Sequence, residues 1–275
     1  MNEKEKNFEM LKSAIKRCLN FFPERYKERP LKRRIAVRMR RRNITTYLEY
    51  MKLLEEDPEE EILLYKVLTI NVSKFFRNLS TFVKIEEEVL PRMYAEAERN
   101  DRIIKVWCAG CATGEESYTI AMLLDRFLKN SGSTISFSVI GSDIDSDSLE
   151  TARRGCYKSL DFDETPEYYL EEYFNKLEKF CVIDRLKKNV EFVNLDIEEE
   201  DVRLNELDLV LFRNVLIYME KGFQERILSK IYSRLDKGGF LVLGKVETLV
   251  GETKKLFNIV DSRERIYRKC LIVKK

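Results

Sequence analysis

The segment 103–118, IIKVWCAGCATGEESY, constrains the fold more than any other part of the chain. An apolar run enters a turn that contains Gly110 and Gly114, and a helix then begins with Glu115 and Glu116. This order is typical of an α/β sheet, which presents backbone N–H groups at the carboxyl edge of its strands. The glycine spacing matches neither a dinucleotide loop nor a nucleoside-triphosphate loop. The two glutamates either cap the helix, where acids stabilise its dipole, or bind a ligand that is cationic or rich in hydroxyl groups.

The absence of histidine narrows the possible chemistry. The 275 residues include 50 Lys and Arg, 48 Asp and Glu, and 0 His. Histidine-based triads and histidine metal sites are therefore excluded, and so is the usual general base near neutral pH. We expect a reaction that needs little proton abstraction, or one that uses a carboxylate, a tyrosine or a lysine. Because the basic and acidic residues nearly balance, the net charge indicates no particular partner.

The cysteine spacing bears on metal sites and disulfides. Cys108 and Cys111 could form a redox pair or half of a zinc site, but no second such pair is present in the sequence. We therefore expect both to pack in the core, and we predict no metal. An even number of cysteines can suggest disulfides, but a large, highly charged chain without an export signal argues against them.

No apolar run approaches the roughly 20 residues of a membrane span, and the first residues are too polar for a signal peptide. We expect a cytoplasmic protein that does not insert into membranes.

The first 70 residues predict helices only, and one of these helices is strongly basic. The segment 32–42 carries seven cations and no acid, and Arg34, Arg38 and Arg42 follow one another at intervals of four. Its charged face could be merely solvated, could bind nucleic acid phosphates, or could bind an acidic protein surface or a carboxylate substrate.

After residue 100 the pattern alternates between strands and helices. Strands are predicted at 103–107, 135–140, 190–195, 207–212, 240–243 and 265–273. The segment 156–189 interrupts this alternation and predicts an inserted subdomain or an elaborated crossover.

Polar residues stand at the ends of four successive strands: Glu116 after the first, then Asp143, Asn194, and Arg213 with Asn214. Because the carboxyl ends of parallel strands meet at one edge, we expect these side chains to form a single site. Asp143 stands where doubly wound folds place an acid against ribose hydroxyls.

Five segments, taken in order, resemble the chemotaxis receptor methyltransferases, the CheR family. They are 71–77 (NVSKFFR), 107–118 (WCAGCATGEESY), 141–145 (GSDID), 213–218 (RNVLIY) and 235–239 (LDKGG). The resemblance covers roughly residues 31 to 250. It implies an α/β fold of the class I S-adenosylmethionine-dependent methyltransferases, Rossmann-like and mostly parallel with an antiparallel last strand. It places a small all-helical domain at 1–78 and the methyltransferase domain, with the insertion at about 156–189, at 79–275.

The resemblance also implies a reaction and its residues. Methyl groups pass from S-adenosyl-L-methionine to glutamate side chains of chemoreceptors, leaving S-adenosyl-L-homocysteine. Arg77 and Tyr218 are the catalytic candidates beside the methyl group, and Arg34 and Arg38 are expected to face the receptor. The residues expected to line the cofactor site are Asn71, Ser73, Arg77, Glu116, Asp143, Asn194, Leu195, Arg213 and Asn214.

Some roles and two other functions stay open. Arg77 follows two aromatic residues, which suits either a rigid bidentate contact with a carboxylate or an ordinary surface position. Tyr218 could instead be an aromatic packing residue at a strand end. A nucleic-acid methyltransferase would carry an Asn-Pro-Pro-Tyr signature where this chain has 213–216, RNVL, and a non-catalytic receptor-binding module would have lost its cofactor edge. We expect chemoreceptor cytoplasmic domains as partners, no nucleic acid, and a monomer.

Overall fold

The computed structural model of the chain describes residues 2–69, 72–176 and 178–270. The chain forms two compact units, and Met1–Ile70 with Tyr218–Gln224 make the first. The helices of this unit are α1 (Glu3–Leu19), α2 (Glu28–Arg41), α3 (Tyr47–Glu56) and α4 (Pro58–Leu68). Residues 72–78, which the sequence analysis assigned to the helical domain, belong to the second unit.

The helix starts of the first unit follow the capping signals in the sequence. The Thr46 hydroxyl accepts the Glu49 N–H at the start of α3, and the Asp57 carboxylate accepts two N–H groups at the start of α4. Pro58 occupies the first turn of α4, where its missing N–H costs nothing. A buried apolar cluster then joins the helices through Phe8, Leu11, Ile15, Leu31, Ile35, Tyr50, Leu54 and Leu64.

The second unit, Asn71–Ile217 with Glu225–Lys275, contains the sheet. Its helices include α5 (Leu79–Lys84), continued by a π-helical turn (Ile85–Val89), α6 (Leu90–Arg99), α7 (Glu115–Asn130), α8 (Ser146–Arg154), α9 (Glu167–Tyr173), α10 (Asp184–Lys187) and most of α11 (Lys221–Arg234). Its strands are β1 (Ile104–Ala109), β2 (Phe137–Asp143), β3 (Cys156–Tyr157), β4 (Phe174–Lys176), β5 (Phe180–Val182), β6 (Val190–Asn194), β7 (Leu207–Phe212), β8 (Leu235–Leu243), β9 (Phe257–Asp261) and β10 (Ile266–Lys269).

The large sheet has the strand order β6-β2-β1-β7-β8-β10-β9. Strands β6, β2, β1, β7 and β8 pair in parallel, whereas β10 is antiparallel to both β8 and β9. The chain passes from β1 to β2 on one side and returns to β7 on the other. In such sheets this reversal opens a cleft outside the carboxyl ends of the strands. The mostly parallel order with antiparallel final strands confirms the predicted fold class.

The segment between α8 and β6 forms a small antiparallel sheet of order β3-β5-β4. Register places Cys156 opposite Cys181, and the two form a disulfide. The sequence argument against disulfides is wrong for this pair, because strand pairing brings together two cysteines that lie 25 residues apart. Within the residues that the structure describes, none of the helices is long and apolar enough to cross a bilayer.

Candidate active site

The turn between β1 and α7 lies at the carboxyl edge of the large sheet. Gly114 has φ +92°, and a Cβ there would lie 2.7 Å from the Ala152 Cβ and 2.9 Å from the Phe192 ring. Gly110 has φ +67°, and its Cβ would lie 2.9 Å from a Val215 methyl group. Glycine is therefore required at both positions by backbone conformation and by space. The result is a tight turn that packs closely against Val215, Ala152 and Phe192.

Asp143, at the end of β2, is held by this turn. Its Oδ2 accepts the Ala112 N–H at 2.9 Å, and its Oδ1 accepts the Asp145 N–H at 3.0 Å. Burial raises the pKa of the Asp143 carboxyl above its ordinary value, against the effect of these N–H groups. Each carboxylate oxygen has a second lone pair and can still accept a hydroxyl group.

Asn194 is the last residue of β6 and Leu195 follows it, and both residues join β6 to the end of β2. The Asn194 side-chain amide donates to the Ile144 carbonyl at 3.0 Å, and the Leu195 N–H donates to the Asp143 carbonyl at 3.1 Å. The end of β6 is thus fixed beside Asp143, as the sequence analysis expected for two neighbouring strand ends.

Arg213 lies at the end of β7 and is 5% exposed. Its Nη1 donates to Glu116 Oε2 at 2.7 Å, and its Nη2 donates to the Arg77 carbonyl at 2.8 Å and to Asn78 Oδ1 at 3.1 Å. One guanidinium therefore connects the end of β7, the start of α7 and the loop before α5. Its Nε is buried and has no hydrogen-bond partner among the described residues.

The loop before α5 carries further predicted site residues. Arg77 donates from Nη1 to the Val72 carbonyl at 3.0 Å. The Ser73 hydroxyl hydrogen-bonds to Glu115, whose carboxyl pKa is raised by burial. Phe76 has φ +52°, an uncommon conformation for a bulky residue, and such strain is typical of functional loops. The predicted residue Asn71 lies outside the described residues.

Three predicted residues belong to the helical unit instead. Tyr218 is part of that unit, and the Arg34 guanidinium stacks on its ring at 4.6 Å. Arg34 is 9% exposed and also donates to the Leu68 carbonyl, while Arg38 is 4% exposed and forms a bidentate ion pair with Glu60. The expectation that Arg34 and Arg38 face outward is therefore corrected, since both side chains hold the helices together. The exposed cations of α2 include Arg33 and Arg40.

Sequence reasoning missed two residues at this edge. Tyr157 donates to the Thr113 carbonyl at 2.7 Å and so connects the small sheet to the glycine turn. Glu247, just beyond β8, is 3% exposed and accepts N–H groups from the chain segment that follows Arg213. A polar residue just past a strand end was the signal that identified the other residues, and it could have identified Glu247.

The described groups fit S-adenosylmethionine. Carboxylates on Glu116 and Asp143 suit an ammonium group and ribose hydroxyls, which are among the charged and polar groups of this cofactor. Arg213 Nε provides a buried donor without a partner among the described residues. S-adenosylmethionine is thus a suitable occupant for this edge of the sheet.

Comparison with known proteins agrees with this assignment. Residues 71–266 match the CheR methyltransferase, SAM binding domain, and residues 6–69 match the CheR methyltransferase, all-alpha domain. The chain is 30% identical to a chemotaxis protein methyltransferase of Listeria monocytogenes, covering 90% of this chain and 91% of the relative. It is also 30% identical to one of Borreliella burgdorferi, covering 79% of each.

Two further matches are less complete. An uncharacterized 104.1 kDa protein of Rhodobacter capsulatus is 31% identical over 88% of this chain, which spans only 25% of that protein. A TehB-like SAM-dependent methyltransferase structure from Corynebacterium glutamicum aligns with a TM-score of 0.38 and 12% identity, covering 70% of this chain and 95% of that structure. The two domain matches together span most of the sequence, so the chain belongs to the CheR methyltransferase family, with S-adenosylmethionine as its cofactor.

Proposed function

We propose that the protein transfers a methyl group from S-adenosylmethionine to glutamate carboxylates of chemoreceptors and forms glutamate methyl esters. The observation that carries this proposal is the similarity to relatives named chemotaxis protein methyltransferase along about 90% of both chains. The rim of polar side chains at the carboxyl edge of the sheet supports the methyl-transfer step. The nature of the acceptor follows from the chemistry that this chain can provide.

A carboxylate acceptor suits a protein without histidine. A glutamate side chain is already ionised at neutral pH, so its attack on a methyl group requires no general base. S-adenosylmethionine supplies that methyl group on a positively charged sulfur. The task left to the protein is to orient the acceptor and to exclude water, and orientation alone can contribute roughly 7–11 kcal/mol. Arg77 is the proposed acceptor-orienting residue, with Tyr218 as a hydrogen-bonding residue beside the methyl group.

The helical unit provides a surface for an acidic partner. The outward side of α2 presents Arg33 and Arg40, while the inward cations Arg34 and Arg38 are occupied within the unit. Receptor recognition is therefore proposed for Arg33 and Arg40. Reversal of both charges would reduce methylation of a receptor and leave cofactor affinity unchanged.

The test is transfer of a labelled methyl group to a purified receptor cytoplasmic domain. After the reaction the labelled receptor is treated with alkali. A glutamate ester releases the label as volatile methanol, and a receptor whose candidate glutamates are replaced by alanine takes up no label. Label that withstands alkali would instead indicate methylation of nitrogen and would overturn the proposed acceptor.

A further inference from the structure

We infer that Glu247 is a positioning residue of the cofactor site, where its carboxylate holds the Arg213–Asn214 segment in its binding conformation. This inference rests on the proposed assignment of Arg213 and Asn214 to that site. It extends the assignment to a residue beyond β8 that contacts the cofactor segment only through its main chain.

The carboxylate of Glu247 joins two neighbouring strand ends. Its Oε2 accepts the Asn214 N–H at 2.9 Å and the Gly244 N–H at 2.7 Å, and its Oε1 accepts the Ile217 N–H at 3.2 Å. Asn214 and Ile217 follow β7, and Gly244 follows β8. The last residues of these two parallel strands, Phe212 and Leu243, are paired in register. A single side chain therefore fixes the turn after β7 against the turn after β8.

This arrangement requires an acceptor with two oxygens. The Asn214, Gly244 and Ile217 donors are main-chain N–H groups, and Glu247 is 3% exposed, so water cannot replace its carboxylate easily. Burial raises the pKa of the Glu247 carboxyl, and the N–H groups oppose that shift. A glutamine side chain has nearly the same shape, but its NH₂ group would face at least one of these donors.

We call the Glu247 carboxylate, with the main-chain N–H groups that it accepts, the clamp. The conformation of Asn214 shows which backbone geometry the clamp holds. Asn214 has φ +63°, in the left-handed region that asparagine adopts more readily than most L-residues. This conformation turns the chain immediately after Arg213, whose guanidinium binds Glu116. The hydrogen bond from the Asn214 N–H to Glu247 stabilises the turn at the residue with the left-handed conformation.

Gly244 leaves the space that the clamp needs. A Cβ at this position would lie 2.7 Å from Glu247 Oε2 and 2.9 Å from the Asn214 nitrogen. The close approach of the carboxylate to the Asn214 main chain therefore depends on glycine at the end of β8. The chain thus combines a buried acid, a residue in the left-handed conformation and a glycine without space for a side chain, all next to the segment that follows Arg213.

The test compares Glu247→Gln with a control at the other end of the neighbouring strand β7. Asp208 is also 3% exposed and accepts the Lys105 N–H at 2.8 Å, but it lies near the start of β7, away from the carboxyl edge. Calorimetry measures the Kd of S-adenosylhomocysteine for wild type, Glu247→Gln and Asp208→Asn, each below its unfolding temperature. We expect Glu247→Gln to raise this Kd about tenfold or more, the effect of losing one hydrogen bond to a charged group. Asp208→Asn is expected to lower the Tm and leave the Kd within about twofold.

Two results overturn the inference. One is a Kd of S-adenosylhomocysteine for Glu247→Gln that equals the wild-type Kd. The other is an equal rise of this Kd in Glu247→Gln and Asp208→Asn, which would indicate a general loss of stability. If Glu247→Gln does not fold, Glu247→Asp is measured by the same criteria, because it keeps the charge but is one methylene too short.

An Asn214→Ala variant separates the inference from the site assignment. Weaker binding by Asn214→Ala with unchanged binding by Glu247→Gln would reject the clamp alone. Unchanged binding by Asn214→Ala would remove Asn214 from the cofactor site and with it the basis of the inference.

Discussion

The Arg213 guanidinium and the Glu116 carboxylate form a largely buried ion pair, Nη1 to Oε2 at 2.7 Å, between the end of β7 and the first turn of α7. These residues lie 97 positions apart in the sequence. The pair joins the end of β7 to the helix that follows the glycine turn. This contact therefore brings residues from two distant parts of the chain together at the carboxyl edge of the sheet.

Replacing Arg213 by alanine is expected to destabilise the second unit strongly. The change leaves Glu116 without its cation and removes two further hydrogen bonds, and loss of one partner of a buried ion pair typically costs about 3–5 kcal/mol. Urea unfolding measures the free energy of unfolding. The control is Arg203→Ala, which removes an exposed arginine paired with Asp201 and Glu191 and is expected to cost less than about 1 kcal/mol. Equal, small losses for both variants would contradict the structural role of the pair.

The buried Glu60 makes the stability of the helical unit depend on pH. Burial opposes its ionisation, but hydrogen bonds from Arg38 and Tyr50 prevail and hold the pKa of Glu60 below its ordinary value of 4.5. A carboxyl with a lowered folded-state pKa contributes stability above its unfolded pKa and loses it as the pH falls through the folded pKa. The difference in unfolding free energy between wild type and Glu60→Gln should therefore be large at pH 7 and shrink below about pH 4.5.

Urea unfolding between pH 7 and pH 3 measures this difference. The exposed Glu59, in the same helical turn, provides the control, because Glu59→Gln should give a small difference at every pH. A Glu60→Gln difference that does not change with pH would show that the ion pair with Arg38 contributes nothing to the acid sensitivity of the unit.

Arg77→Lys tests the proposed role of Arg77 in orienting the acceptor. Lysine keeps the charge but loses the planar fork that binds a carboxylate through two parallel hydrogen bonds. We expect the turnover of a receptor fragment to fall about tenfold or more, because small errors in alignment are costly. Lys74→Arg in the same loop, at a residue paired with Asp163, should leave turnover unchanged. Undiminished turnover by Arg77→Lys would exclude the role.

The strands that form the cleft could be predicted because their sequences are locally distinct. Strand β7 has the predicted limits, 207–212, since all its residues are buried and all but Asp208 are apolar. Strand β8 begins at Leu235 rather than at residue 240, because Leu235 already pairs with Leu207 and the register then shifts before Phe240 pairs with Leu209. Strand β9 was missed, since it is an edge strand with an exposed Ile259 and no alternating apolar pattern.

The orientation of charged side chains could not be predicted in the same way. The sequence shows that α2 is basic, but Arg38 turns inward because Glu60, on another helix, is buried beside it. Likewise, Arg34 is buried against the Tyr218 ring, which is distant in sequence. Both contacts depend on tertiary pairing, so a count of charges along one helix cannot separate its inward face from its outward face.

The claim that strand ends hold the cofactor is tested most directly by the Kd of S-adenosylhomocysteine for Asp143→Ala. Calorimetry would compare this variant with wild type and with Glu150→Ala, which removes an exposed acid on the adjacent helix α8. Loss of two hydrogen bonds to a charged acceptor should raise the Kd about 30-fold or more for Asp143→Ala. Glu150→Ala should bind as wild type does. Equal affinity of all three proteins would contradict the assignment of the carboxyl edge as the cofactor site.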